Sequence, residues 1–177
     1  SGSAITRIGG GSLGGKAAGL LRVRDILARL DPAEYPGITV DVPTLTVLGT
    51  NVFDAFMQRN DLLGVAASDE PDDRMAHAFQ KGSLPAEFVG DLRSITNEVR
   101  LPIAIRSSSL LEDALEHPFA GVYGTKMIPN NQLDADTRFQ RLVEAIKFVY
   151  ASTYFRGARH HVRSVGQDPE RSEKMAV

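Results

Sequence analysis

Residues 9–20 read GGGSLGGKAAGL, and six of these twelve positions are glycine. Such density favours a loop ahead of a helix that begins near Lys16, because each glycine frees the backbone for positive φ. A helical pattern starts immediately afterwards, so the fold has to set a loop directly on a helix N-terminus. Converging glycine amides, the helix dipole and the charge of Lys16 would make an anion cradle there. A plain glycine-rich turn with Lys16 in solvent fits the same letters. Gly10, Gly15 and Lys16 nearly complete G-x-x-x-x-G-K-[ST], but Ala17 stands where that motif supplies a hydroxyl to Mg2+. Residues 4–8 are also short and half polar, unlike the buried strand that such a loop follows. That triphosphate loop is therefore excluded.

Composition removes further classes. Cysteine is absent, which excludes disulfide scaffolds, thiol catalysis and Cys-ligated zinc. The formal charge is −2 with basic residues scattered, so there is no stripe for nucleic acid. No apolar run is long enough for a membrane span, and the first residues lack a secretory apolar stretch. With 42% apolar and 24% charged residues over 177 positions, the expectation is one soluble, cytoplasmic domain with its own core.

Periodicity then orders the chain. Residues 17–30 carry Leu20, Val23, Leu27 and Leu30 at helical spacing and stop at Asp31-Pro32. Residues 38–42 alternate like a strand as far as Pro43, and 45–48 resume extended chain. Thr50 or Asn51 caps a helix that buries Val52, Phe53, Phe56 and Met57. An acidic start at 69–73, with Pro71, opens a helix that Gly82 closes. Pro85 starts the next, with Phe88, Leu92, Ile95 and Val99 on one face. Residues 101–105 and 120–128 read as strands. The longest helical pattern spans 134–161, with an end or bend at Gly157, and 174–177 begin a last extended run. Strands joined partly by turns predict an α+β, mixed α/β lobe. Phe148, Tyr150, Tyr154 and Phe155 fall at helical spacing and are assigned to packing, not to base stacking.

The segment LPIAIRSSSLLEDALEHPFAGVYGT, residues 101–125, concentrates chemistry. An apolar strand ends in Arg106, whose planar fork of donors suits phosphate oxygens. Ser107, Ser108 and Ser109 add hydroxyl or amide donors. Glu112 and Asp113 stand ready to orient the arginine or approach a metal. A surface turn fixed by an Arg106–Glu112 or Arg106–Asp113 ion pair, with serines as caps, is the alternative. The strand is so apolar, however, that a charge at its end needs a specific partner.

GGKAAGL, VPTLTVLGTNVFDAF, IAIRSSSLLEDALEHPFAGVYGT and AIKFVYASTYFRGARHHV occur in this order, with MAV at the end. Together they resemble the N-terminal nucleotide-binding domain of the phosphoenolpyruvate synthase and pyruvate phosphate dikinase family. The form is the one with RSSSLLED and PFAGVY in place of RSSATAEDLPDASFAGQ. The resemblance covers nearly the whole chain. It implies an ATP-grasp fold, with ATP between two lobes, and residues 1–177 as a fragment covering the first lobe within a larger multidomain protein. It makes Lys16 an ATP-phosphate ligand and Arg106 a phosphate-contacting catalytic arginine. Ser107, Ser108, Gly121 and Thr125 are expected to line the same site. Glu112 and Asp113 match family positions, with no metal assigned to them.

The implied cofactors are ATP and Mg2+, the metal ligands lying in the second lobe. The implied reaction passes a phosphate from ATP to a histidine on another domain and then to pyruvate, giving phosphoenolpyruvate. The isolated chain is expected to be inactive, and apolar surface left uncovered would favour a homodimer. His77, His117, His160 and His161 lack metal-ligand spacing and are assigned to structure or solvent. Two other readings remain: a related dikinase with another acceptor, such as a polysaccharide or antibiotic, and a degenerate regulatory module. The presence of both Lys16 and Arg106 argues against the second.

Overall fold

The structure, a computed structural model, describes residues 5–109, 121–164 and 174–177. It opens with β1 (Ile5–Ile8), α1 (Gly14–Leu27), β2 (Leu45–Leu48) and α2 (Thr50–Arg59). β1 and β2 run parallel, with Ile5 beside Leu45 and Ile8 beside Leu48. Parallel neighbours need a crossover, and the glycine loop with α1 supplies it. Three helices follow: α3 (Leu63–Ala67), α4 (Asp72–Lys81) and α5 (Ala86–Glu98). Then come β3 (Ile103–Arg106), β4 (Ser108–Ser109), β5 (Thr125–Ile128), α6 (Ala135–Ser152), α7 (Arg156–Ser164) and β6 (Met175–Ala176). β3 pairs antiparallel with β5, and β4 with β6. Leu48 N–H donates to Val177 O at 2.7 Å and Val177 N–H returns to Leu48 O at 3.1 Å, which ties β2 to the β4–β6 ladder. The architecture is α+β, as expected.

The core lies among the helices. Val52, Phe53, Phe56 and Met57 are all buried on α2, as their spacing predicts. They meet Met75 and Phe79 of α4, Leu92 of α5, and Ile146, Val149 and Tyr150 of α6. Phe53 and Tyr150 pack edge to face at 5.0 Å, and Phe79 stands 5.9 Å from both Phe56 and Tyr154. The aromatic residues at helical spacing are thus packing residues. Two buried cations close helix ends. Lys147 donates to Gln80 O at 2.7 Å and Gly82 O at 3.0 Å, meeting the carbonyls that α4 leaves unpaired. Arg159 donates to Ser68 O just past α3.

Several local expectations are overturned. α1 begins at Gly14, and what it buries is its first turn: Gly14, Gly15 and Ala17. Of the expected stripe Val23 and Leu30 are exposed and Leu20 and Leu27 only half-buried, so it forms no part of the core. Residues 38–42 form no strand; Ile38 and Val40 are exposed and Val42 alone of the alternating set is buried. The strand expected over 120–128 is confined to Thr125–Ile128, with Gly121 in the turn before it at φ +78°. The long helix breaks at 153–155, ahead of Gly157, which sits inside α7. There the amides of Thr153, Tyr154 and Phe155 reach back three residues instead of four, the tightening typical of a helix end. Residue 120, Glu112, Asp113 and His117 lie outside the described residues.

Candidate functional site

The glycine loop folds as a clamp. Gly9, Gly11 and Gly14 have φ of +72°, +82° and +70°. Gly10 N–H donates to Asn51 Oδ1 at 2.6 Å and Ser12 N–H to Thr50 Oγ1 at 2.9 Å. The predicted capping role of Thr50 and Asn51 therefore does not occur: α2 starts after Gly49 with no side-chain cap, and both side chains serve the loop. The Arg7 guanidinium donates to Gly9 O at 2.9 Å and Gly11 O at 2.6 Å, holding the loop from its other side. The amides of residues 10, 12 and 14 thus point at the protein, the last at Ser12 Oγ, 3.0 Å away.

Lys16 is not in solvent either. It is half-buried, and its ammonium donates to Ser107 O at 3.2 Å and Ser107 Oγ at 3.4 Å, ninety-one residues along the chain. This contact exists because α1 docks by its first turn onto β4. A Cβ on Gly14 would fall 1.7 Å from Ser108 O, so only glycine lets the two backbones approach this closely. Ser107, Ser108 and Ser109 are all buried.

The β3–β5 ladder has two faces. Ile103, Ile105, Lys126 and Ile128 share the side that packs toward α6, where Lys126 lies over the Phe148 ring at 4.0 Å. Ala104, Arg106, Thr125 and Met127 share the other side, and all four are exposed. Arg106 stands directly opposite Thr125 in register, so the two share one open face. Among the described residues the Arg106 guanidinium has no ion pair or hydrogen bond; its alternative partners, Glu112 and Asp113, lie outside them. Of the expected site residues, the fold brings Lys16 to Ser107, next to Arg106 and its neighbour Thr125. Gly121 is exposed in the turn ahead of β5. Thr50 and Asn51 were read from the sequence only as caps, because nothing local marks a bond across some forty residues, and Arg7, two and four residues from the carbonyls it holds, was not singled out.

An open hollow of about 590 Å³ lies on the opposite side, between α4, β5 and α6, walled by Lys126, Arg141, Glu144, Lys147 and Phe148. Its cations already have partners: Lys126 the Phe148 ring, Arg141 the Glu144 carboxylate at 3.1 Å, and Lys147 the α4 carbonyls. Burial holds the Lys147 pKa below the usual lysine value. His77 and His160 are exposed, and among the described residues no three His, Asp or Glu side chains gather as a metal site would require.

Compared with models of known families, residues 11–177 match the pyruvate phosphate dikinase, AMP/ATP-binding domain. The chain belongs to this family. No curated protein and no solved structure matched it. The dikinase-family domain is accordingly an ATP-binding domain of the kinase and dikinase class, and ATP is its ligand. The family implies the ATP-grasp fold. No helix among the described residues is long and apolar enough to cross a membrane.

Proposed function

We propose that this chain is the first ATP-binding lobe of a phosphotransferase that makes or uses phosphoenolpyruvate, with Lys16 and Arg106 as its triphosphate ligands. The observation that carries this reading is the Lys16–Ser107 contact: it delivers the amine to the residue beside Arg106, across ninety-one positions of sequence. Phosphoryl transfer asks the protein mainly for positioning and charge neutralisation, and a lysine and an arginine at one strand end supply both. Thr125, facing Arg106 across the ladder, and Ser107, under the ammonium, complete the phosphate end, with Gly121 at the turn leading into it. Ala104 and Met127 continue the open face as an apolar floor.

In the proposed relay, ATP gives a phosphoryl group to a histidine on another domain, which passes it to pyruvate. Mg2+ supplies further charge neutralisation when bound. The described residues do not themselves gather a carboxylate set for it, so no step is assigned to it in this lobe, and a second lobe is proposed to hold it. The lobe alone is proposed to be inactive. Titration of ATP·Mg into the full-length protein tests the assignment. Lys16→Ala and Arg106→Ala are each expected to weaken binding about 10- to 100-fold, the scale of a charge-assisted hydrogen bond. Wild-type affinity in both variants would dismiss it.

A further inference from the structure

We infer that Ser108 is a positioning residue of the ATP site, one that sets Lys16 without touching the nucleotide. The inference rests on the ATP-binding role proposed for Lys16. A phosphate oxygen offers lone pairs only, so a serine side chain meets it by donating its O–H. The single O–H of Ser108 already donates to Leu13 O at 2.8 Å, and its oxygen accepts from Ala17 N–H at 3.1 Å. The residue is 5% exposed, leaving no open side for a triphosphate.

Its two partners are telling. Leu13 is the N-cap of α1, and Ala17 lies four residues on. An undisturbed α-helix pairs N–H of residue i with C=O of residue i−4, so these are the two groups that the first turn pairs with each other. The hydroxyl of a distant strand holds both. It ties the first turn of α1 to β4, and Lys16 sits inside that turn with its ammonium on the neighbouring Ser107. Gly14 makes the room, since a Cβ there would come within 2.6 Å of Ser108 Oγ.

The same geometry says what removal does. In Ser108→Ala the Ala17 amide is free to pair with Leu13 O directly, so no buried polar group is stranded and the fold persists. What disappears is the tether that aims Lys16. The experiment is a double-mutant cycle on ATP·Mg affinity in the full-length protein, with thermal melts and amide exchange at Ala17 measured without nucleotide. Ser108→Ala is expected to melt near wild type, to change Ala17 exchange, and to bind ATP about five- to tenfold more weakly. Adding it to Lys16→Ala is expected to cost nothing further, because Ser108 acts through that lysine. Ser108→Thr, which keeps the hydroxyl, is expected to bind like wild type. Wild-type affinity in Ser108→Ala, or full additivity with Lys16→Ala, overturns the positioning role while leaving the ATP reading in place. Wild-type affinity in Lys16→Ala overturns the role proposed for Lys16 and this inference with it. Should Ser108→Ala fail to fold, a Ser108→Thr protein that binds weakly despite its hydroxyl overturns the inference, and wild-type binding supports it.

Discussion

The helical core and the glycine–serine edge are built on opposite principles. Around Phe53, Phe56, Phe79 and Tyr150, large rings meet at 5–6 Å and exclude water, so stability scales with buried area. At the edge, Gly9, Gly11, Gly14, Ser107 and Ser108 contribute almost no apolar area. There backbones approach until a single methyl group would collide, and short hydrogen bonds fix the geometry. The core decides whether the chain folds, and the edge decides where two cations stand. Substitutions in one region should therefore move melting temperature, and in the other ATP affinity.

The largest expected effect tests the core. Phe79→Ala removes a fully buried ring and should cost about 3–5 kcal/mol in denaturant unfolding. Protein that remains folded should bind ATP as wild type does; a matching loss of affinity would show that the two regions are not separate. Gly14→Ala is its counterpart at the edge. A side chain at φ +70° pressing on Ser108 should abolish ATP binding while the near-ultraviolet aromatic signal of the core survives. Loss of that signal would merge edge and core into one unit.

Smaller effects sharpen the contrast. Lys147→Ala leaves the Gln80 and Gly82 carbonyls without their donor and should cost about 1–3 kcal/mol, with ATP affinity unchanged. Weakened ATP binding there would make the α4–α6 hollow part of the site. Tyr150 is fully buried, burial raises its pKa, and its hydroxyl has no hydrogen-bond partner among the described residues. Tyr150→Phe should then stabilise the core by about 1 kcal/mol, read from the shift in denaturant midpoint. A destabilised variant would mean that the hydroxyl has a partner after all.

The smallest effect is a pH control far from the edge. Asp134 caps α6 by accepting from Thr137 N–H at 2.7 Å and Thr137 Oγ1–H at 2.6 Å, bonds that hold its pKa below the ordinary 3.8. A carboxylate depressed by folding adds stability above its unfolded pKa and loses it as pH falls through the folded value. Asp134→Asn caps without titrating, so the melting-temperature difference between wild type and this variant should shrink as pH drops below 3.8. A difference that stays constant would discount the cap.

Much of this was legible in the letters because it is local. The buried face of α2, the closure of α4 at Gly82, the placing of Phe88, Leu92 and Ile95 on α5 and the Asp134 start of α6 each follow from spacing or capping chemistry within a few residues, whereas Val99, expected on the same face of α5, lies exposed past its end. The family was legible too, because its motifs are short runs of neighbouring residues, and the chain proved to belong to it. Where local signals misled, a distant partner was the cause. Thr50 and Asn51 look like caps until Gly10 and Ser12 arrive with unpaired amides. Leu20, Val23, Leu27 and Leu30 look like a core stripe, yet periodicity reports that a face is apolar, not that anything covers it.

By itself, then, the sequence determined the main helical segments, the glycine loop ahead of α1, and the motifs that carry the family. These are consequences of backbone freedom and side-chain period along neighbouring residues. Tertiary structure alone decided that the loop's amides turn inward, that Ser108 bridges the first turn of α1, and that Arg106 and Thr125 share an open face. Those outcomes depend on contacts tens of residues apart, whose geometry exists only after the core has closed and brought the backbones within hydrogen-bonding reach.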